Sequence, residues 1–131
     1  MEKQSMQIVT RFLTAVQNGD NEKLNTILDD NIQWDQPGNN SISGIKKTKA
    51  EVFDMVGKMF AFSNNTLRLL EIKSISANAN SVAAVLLWKA SKPGTDDLEV
   101  TNIDVYEIAD GKIITAKVYS ADVEKENSFW K

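Results

Sequence analysis

The chain has 131 residues, 42% of them apolar and 25% charged, a balance that supports one folded domain and argues against disorder. Its 15 basic and 18 acidic side chains leave a formal charge of −3, so neither nucleic acid nor an anionic membrane surface is an expected partner. Cysteine and histidine are both absent, which excludes a disulfide framework, thiolate metal sites, Ser-His-Asp hydrolysis and imidazole general-base catalysis by this chain alone.

Any proton transfer must therefore use Asp, Glu, Lys or Tyr. The opening MEKQSMQIVTRF holds no continuous apolar stretch with a small-residue cleavage site, and no later segment approaches the roughly 20 apolar residues of a membrane span. A soluble, cytoplasmic protein is the expectation.

Ile8, Val9, Phe12, Leu13 and Val16 recur at helical spacing and Gly19 supplies a stop. Asp20 can cap a second, short helix with Leu24, Ile27 and Leu28 inward, ending near Asp29 and Asp30, so the two form a helical hairpin. Ile32 to Asp35 alternates with period two before the turn formers Pro37 and Gly38, which predicts a short strand. After a polar loop from Asn39 to Gly44, Thr48 and Glu51 form a capping box for a third helix that buries Val52, Phe53, Val56, Met59 and Phe60.

Beyond Asn65 the texture becomes β: Leu67 to Ile75, Ser81 to Ala90, Leu98 to Ala109 and Lys112 to Ser120, with turn residues between them. The order ααβαββββ predicts an α+β domain over 1–123, a curved antiparallel sheet packed against three N-terminal helices. The segment 124–131 reads as a polar C-terminal tail.

Ser81 to Ala90 is apolar on both faces, Val82, Ala84, Leu86 and Trp88 on one and Ala83, Val85 and Leu87 on the other. Helices can cover one face, and a second copy of the chain can cover the other, so a homodimer through the sheet face is expected. Asp104, inside Asn102-Ile103-Asp104-Val105-Tyr106, is the residue that most needs an explanation, because β propensity disfavours an acid there. Its surroundings depend on the next turn. A two-residue Asp110-Gly111 turn sets it opposite Lys117 as a solvated ion pair; a three-residue turn with a bulge at Gly111 sets it beside Ile114, Ala116 and Val118. In the second register its pKa rises, and a protonated carboxyl can donate to a developing oxyanion.

Asp35 is the second candidate catalytic acid, ending a strand where a side chain can reach a cavity mouth. Its role depends on sharing a cavity with Asp104, one acid ionised and the other neutral. Phe12, Trp34, Phe53, Phe60, Trp88 and Val118 are the candidate lining of a pocket for a small apolar molecule, although aromatics in such a chain also serve simply as core. No glycine-rich phosphate loop, EF-hand or metal-spaced acid cluster occurs, so no nucleotide or other cofactor and no metal is expected.

The helix order, Trp34-Asp35-Gln36-Pro37-Gly38, and Asn102-Ile103-Asp104-Val105 followed by Asp110-Gly111-Lys112-Ile113 resemble the nuclear transport factor 2-like superfamily over nearly the whole chain. Within it the chain is most similar to the ketosteroid isomerase and SnoaL-like polyketide cyclase group. That resemblance implies a cone-shaped, cystatin-like α+β barrel around an apolar pocket, often dimeric through the sheet. It also implies Asp35 as the proton-shuttling base and Asp104 as the acid that donates to an enolate oxygen. The isomerase's oxyanion-hole tyrosine follows an arginine in the first helix; here Arg11 is followed by Phe12, which has no hydroxyl. Loss of one such donor costs on the order of a hundredfold in rate. Epoxide hydrolase-like chemistry needs an arginine between acids, a setting that Arg11 and Arg68 lack. The resemblance thus implies an isomerase or cyclase acting on an apolar carbonyl compound, with a non-catalytic binding protein or a dimeric interaction module as the alternatives.

Overall fold

Local signals place the helices where the apolar periodicity puts them. In the computed structural model, which describes residues 1–131, α1 (Glu2–Asn18) buries Ile8, Val9, Phe12 and Leu13 and is closed by Gly19 in the left-handed conformation, φ 65°. The α2 helix (Asn21–Ile27) begins at Asp20, whose carboxylate accepts from the Lys23 N–H at 3.1 Å. Thr48 caps α3 (Lys49–Phe62) by accepting from the Glu51 N–H at 3.1 Å, and Glu51 reaches back to the Lys47 N–H at 2.7 Å, one residue earlier than a capping box requires.

The strands are β1 (Leu28–Gln36), β2 (Gly44–Lys46), β3 (Arg68–Asn78), β4 (Ser81–Ala90), β5 (Leu98–Ala109) and β6 (Lys112–Ser120), in one sheet of order β2-β1-β6-β5-β4-β3. The run β3 to β6 is the expected antiparallel meander. Three features differ from the sequence reading. The first strand starts four residues earlier, directly from α2, β2 forms between the expected loop and α3, sharing only Gly44 with the loop, and β1 joins β6 in parallel. No helix is long and apolar enough to cross a membrane.

The register of β6 is set by a bulge. The turn after β5 is the two-residue kind, with Asp110 and Gly111 both at positive φ (52° and 76°) and Ala109 opposite Lys112. Ile108 pairs with Ile113, but Glu107 pairs with Thr115, so the extra residue is Ile114 and Asp104 meets Val118. The turn therefore has the length that would have set Asp104 opposite Lys117, while the bulge delivers the apolar surroundings of the alternative register. Buried Ile113, Ala116 and Val118 follow the interrupted alternation.

The expected polar tail is a helix. Val123–Phe129 forms α4, capped by Asp122, whose carboxylate accepts from the Lys125 N–H. Phe129 and Trp130 are almost fully buried and pack edge to face, centroids 4.8 Å apart. The helix is clasped at several points: the Trp130 carbonyl accepts from Ser41, the Phe129 carbonyl from Lys92, and Asn127 Oδ1 from the Asn39 N–H at 2.8 Å and Asn40 Nδ2 at 2.9 Å. Polar composition hid this element, because two aromatics do most of its packing.

Gly38 lets the clasp close. Its φ is +98°, and a Cβ there would stand 2.6 Å from Asn127 Oδ1 and 2.8 Å from Asn40 Nδ2. Gly38→Ala should therefore destabilise the protein by about 1–3 kcal/mol in urea unfolding, with faster hydrogen exchange in α4 than in β4 or β5.

Candidate functional site

The concave face of the sheet, α1 and α3 enclose a cavity of about 470 Å³, and α4 contributes to its wall. Its lining is mainly apolar. Phe53, Val56, Met59 and Phe60 on the inner side of α3 are only half-buried although they face the interior, because they border open space rather than packed side chains. Phe12, Trp34 and Tyr106 form an aromatic wall, with centroids 5.5 Å (Phe12 to Tyr106), 6.3 Å (Phe12 to Trp34) and 6.4 Å (Trp34 to Tyr106) apart. Trp34 Nε1 donates to Gln36 Oε1 at 2.9 Å, which satisfies both polar groups inside this wall.

A polar patch interrupts the apolar surface. Period-two alternation along β5 turns Asn102, Asp104 and Tyr106 inward, all buried and all bordering the cavity. The Tyr106 hydroxyl donates to Asp104 Oδ2 at 2.8 Å, while Asp104 Oδ1 has no partner. Burial pushes the Asp104 pKa up to about 7; the hydrogen bond from Tyr106 opposes the rise and the Glu126 carboxyl adds to it. Burial and the Asp104 charge together raise Tyr106 well above its ordinary value, so it remains a donor.

Glu126 enters the same patch from α4, 5% exposed. Burial raises its pKa, with Asp122 adding to the rise, although Ser120, Asn102 and Trp130 each favour the ionised form. Oε2 of Glu126 and Oδ1 of Asn102 have no well-formed hydrogen bond, and the indole N–H of Trp130 lies beside Glu126 without the alignment of one. The carboxyl pair of this cavity is thus Asp104 with Glu126.

The expected pairing of Asp35 with Asp104 does not form. Trp34 and Gln36 face the cavity, so the alternation of β1 turns Asp35 to the other side of the sheet, between Ile45 of β2 and Lys117 of β6. The six residues expected to surround a ligand, Phe12, Trp34, Phe53, Phe60, Trp88 and Val118, all line the cavity. Sequence reasoning missed Asn102, Tyr106, Glu126 and Trp130. The first two were legible as inward partners of Asp104 at i−2 and i+2; the last two were hidden in the supposed tail, where Phe129-Trp130 was the available signal.

The buried acid predicts an unusual pH dependence of stability. Asp104 has an unfolded value near 3.8 and a folded value of about 7, so the native state binds the extra proton between them and stability falls as pH rises through that window. Asp104→Asn removes this term. The variant should match the wild type near pH ~4 and exceed it by a few kcal/mol, in order of magnitude, near pH ~8 when unfolded by urea.

A family model described as "SnoaL-like domain" matches residues 9–116. A cystatin-like-fold protein of unknown function from Xanthomonas campestris superposes with a TM-score of 0.91 at 33% identity, covering 96% of this chain and 97% of its own. Bal32a, from a soil-derived mobile gene cassette, gives a TM-score of 0.93 at 23% identity over 99% and 98% of the two chains. An NTF2-like protein from Burkholderia xenovorans LB400 gives 0.83 at 18% identity over 100% and 98%. No curated protein matches the sequence.

Proposed function

The chain belongs to the SnoaL-like domain family, and on that premise we propose that its cavity binds a small apolar carbonyl compound on which Asp104 moves a proton, in isomerase- or cyclase-type chemistry. One observation carries the reading: a carboxyl with a free oxygen, buried without a counter-ion, stands in the wall of an apolar cavity. An acid whose pKa lies near neutrality both accepts and returns a proton at little cost, which is the requirement for shuttling one between two carbons.

Tyr106 gives the site a hydroxyl that Phe12 lacks, but from the sheet instead of the first helix. The two rings touch, and the Tyr106 O–H points at the carboxyl. When Asp104 is ionised, Tyr106 stabilises the charge; when it is protonated, the same hydroxyl is free to turn toward a ligand oxygen. Asp35 has no part in this reading, because it lies across the sheet from the cavity.

Hydrogen–deuterium exchange at carbon tests the proposal without knowledge of the natural substrate. Cyclic ketones incubated with the protein in deuterated buffer should exchange their α-hydrogens faster than in buffer alone, as followed by NMR. Asp104→Asn should remove about a hundredfold or more of that acceleration while leaving ketone binding intact. Binding without any acceleration in the wild type would rule out the proton transfer and favour a non-catalytic binding protein.

The outer sheet face supports the expected homodimer. Val85, Ile103 and Tyr119 form one row across β4, β5 and β6, with Ile103 44% and Tyr119 49% exposed, a stripe that a second copy can cover. Ile103→Glu should shift the protein toward monomer in sedimentation velocity; a wild type that sediments as monomer at high micromolar concentration counts against the dimer.

A further inference from the structure

The polar end of the cavity holds more acceptors than the chain satisfies. Asp104 Oδ1, Asn102 Oδ1 and Glu126 Oε2 are buried without well-formed partners, and the one donor in the same state, the Trp130 N–H, already lies beside Glu126. Asn102, Asp104 and Glu126 are each at most 5% exposed and border the cavity; their free oxygens are covered, so an occupant meets them through a rotation of these side chains toward the cavity. Asn102 and Asp104 stand two residues apart on the inward side of β5, and Glu126 enters the wall of the same cavity from α4.

The chain supplies no cation to this patch. No lysine lines the cavity, and the one arginine that does, Arg68, is exposed and donates to the Asn65 and Leu67 carbonyls at 2.9 and 2.7 Å. Lys117 is carried to the outer face by the bulge at Ile114. Two buried acids without a counter-charge are costly when ionised; the proton that Asp104 holds below about pH 7 relieves that cost, and a cationic occupant relieves it by taking the proton's place.

We propose that the cavity selects a ligand with an ammonium group on an apolar body, the cation donating to Glu126 Oε2, Asn102 Oδ1 and Asp104 Oδ1. An alkylammonium carries three N–H donors, matching three acceptors, where a hydroxyl brings one donor and a ketone none. The inference rests on the reading of the cavity as a small-molecule site and adds a feature of the molecule. It also fits the chemistry, since an ammonium beside Asp104 favours the ionised form that accepts a proton from carbon.

Cyclohexylmethylamine, cyclohexylmethanol and cyclohexyl methyl ketone share an apolar body and differ in the polar group. All three tryptophans of the chain, Trp34, Trp88 and Trp130, line the cavity, so their fluorescence reports occupancy. At pH ~6 the amine should bind about tenfold tighter than the alcohol or the ketone. Calorimetry in buffers of different ionisation enthalpy should show proton release on amine binding, because a bound cation lowers the Asp104 pKa from about 7. Glu126→Gln and, to a smaller extent, Asn102→Leu should lower the affinity for the amine more than that for the alcohol or the ketone, so that the tenfold preference shrinks. The wild-type comparison decides the matter even if a variant fails to fold. Equal affinities, or amine binding without proton release, would overturn the ammonium proposal and leave the cavity reading in place; binding by none of the three probes would overturn both.

Discussion

The chemistry of the cavity depends on the exclusion of one positive charge. In an unbroken β5–β6 ladder Asp104 faces Lys117 and Tyr106 faces Thr115, and the acid becomes half of an ordinary ion pair. The extra residue at Ile114 moves the pairing by one, so that Val118 and Ala116 stand opposite Asp104 and Tyr106 while Lys117 and Thr115 go to the other face. Because side chains alternate with period two, a single inserted residue exchanges a cation for a methyl-lined wall. The raised pKa of Asp104 and the free carboxylate oxygen both follow from that exchange.

Such a site opposes folding, and the rest of the architecture must offset it. The carboxyls of Asp104 and Glu126 lose hydration without gaining a counter-ion, and the cavity itself forgoes packing that a filled core would have. Against this stand a continuous apolar core running from Ile8 on α1 to Trp130 beyond α4, and an aromatic wall that fixes Tyr106 between Phe12 and Trp34. The Tyr106 ring is held by packing, so its hydroxyl can be aimed at Asp104 at little entropic cost.

Much of this fold was legible in the sequence because its signals are local. Gly19, Asp20 and Thr48 mark helix ends through backbone chemistry that acts within a turn, and the four late strands announce themselves by alternation and by turn residues between them. The cavity lining was legible too, as aromatic and aliphatic residues at helical and strand spacing. What stayed hidden is long-range. The bulge at Ile114 has no glycine or proline to mark it, whereas the outward direction of Asp35 follows from the alternation of Ile32, Trp34 and Gln36, which the earlier start of β1 at Leu28 leaves in phase. Composition misled at the C terminus, where Asp122, Glu124, Lys125, Glu126 and Asn127 suggest solvent although Glu126, Phe129 and Trp130 are buried. The clasp on α4 joins residues nearly ninety positions apart, beyond the range of any periodicity.

The family model ends at residue 116, yet Glu126 and Trp130 stand in the cavity wall. Part of the pocket's polarity is therefore furnished by residues that lie beyond the family match. Substitutions at Glu126 or Trp130 can change the charge and donor pattern offered to an occupant while every residue of that match stays as it is.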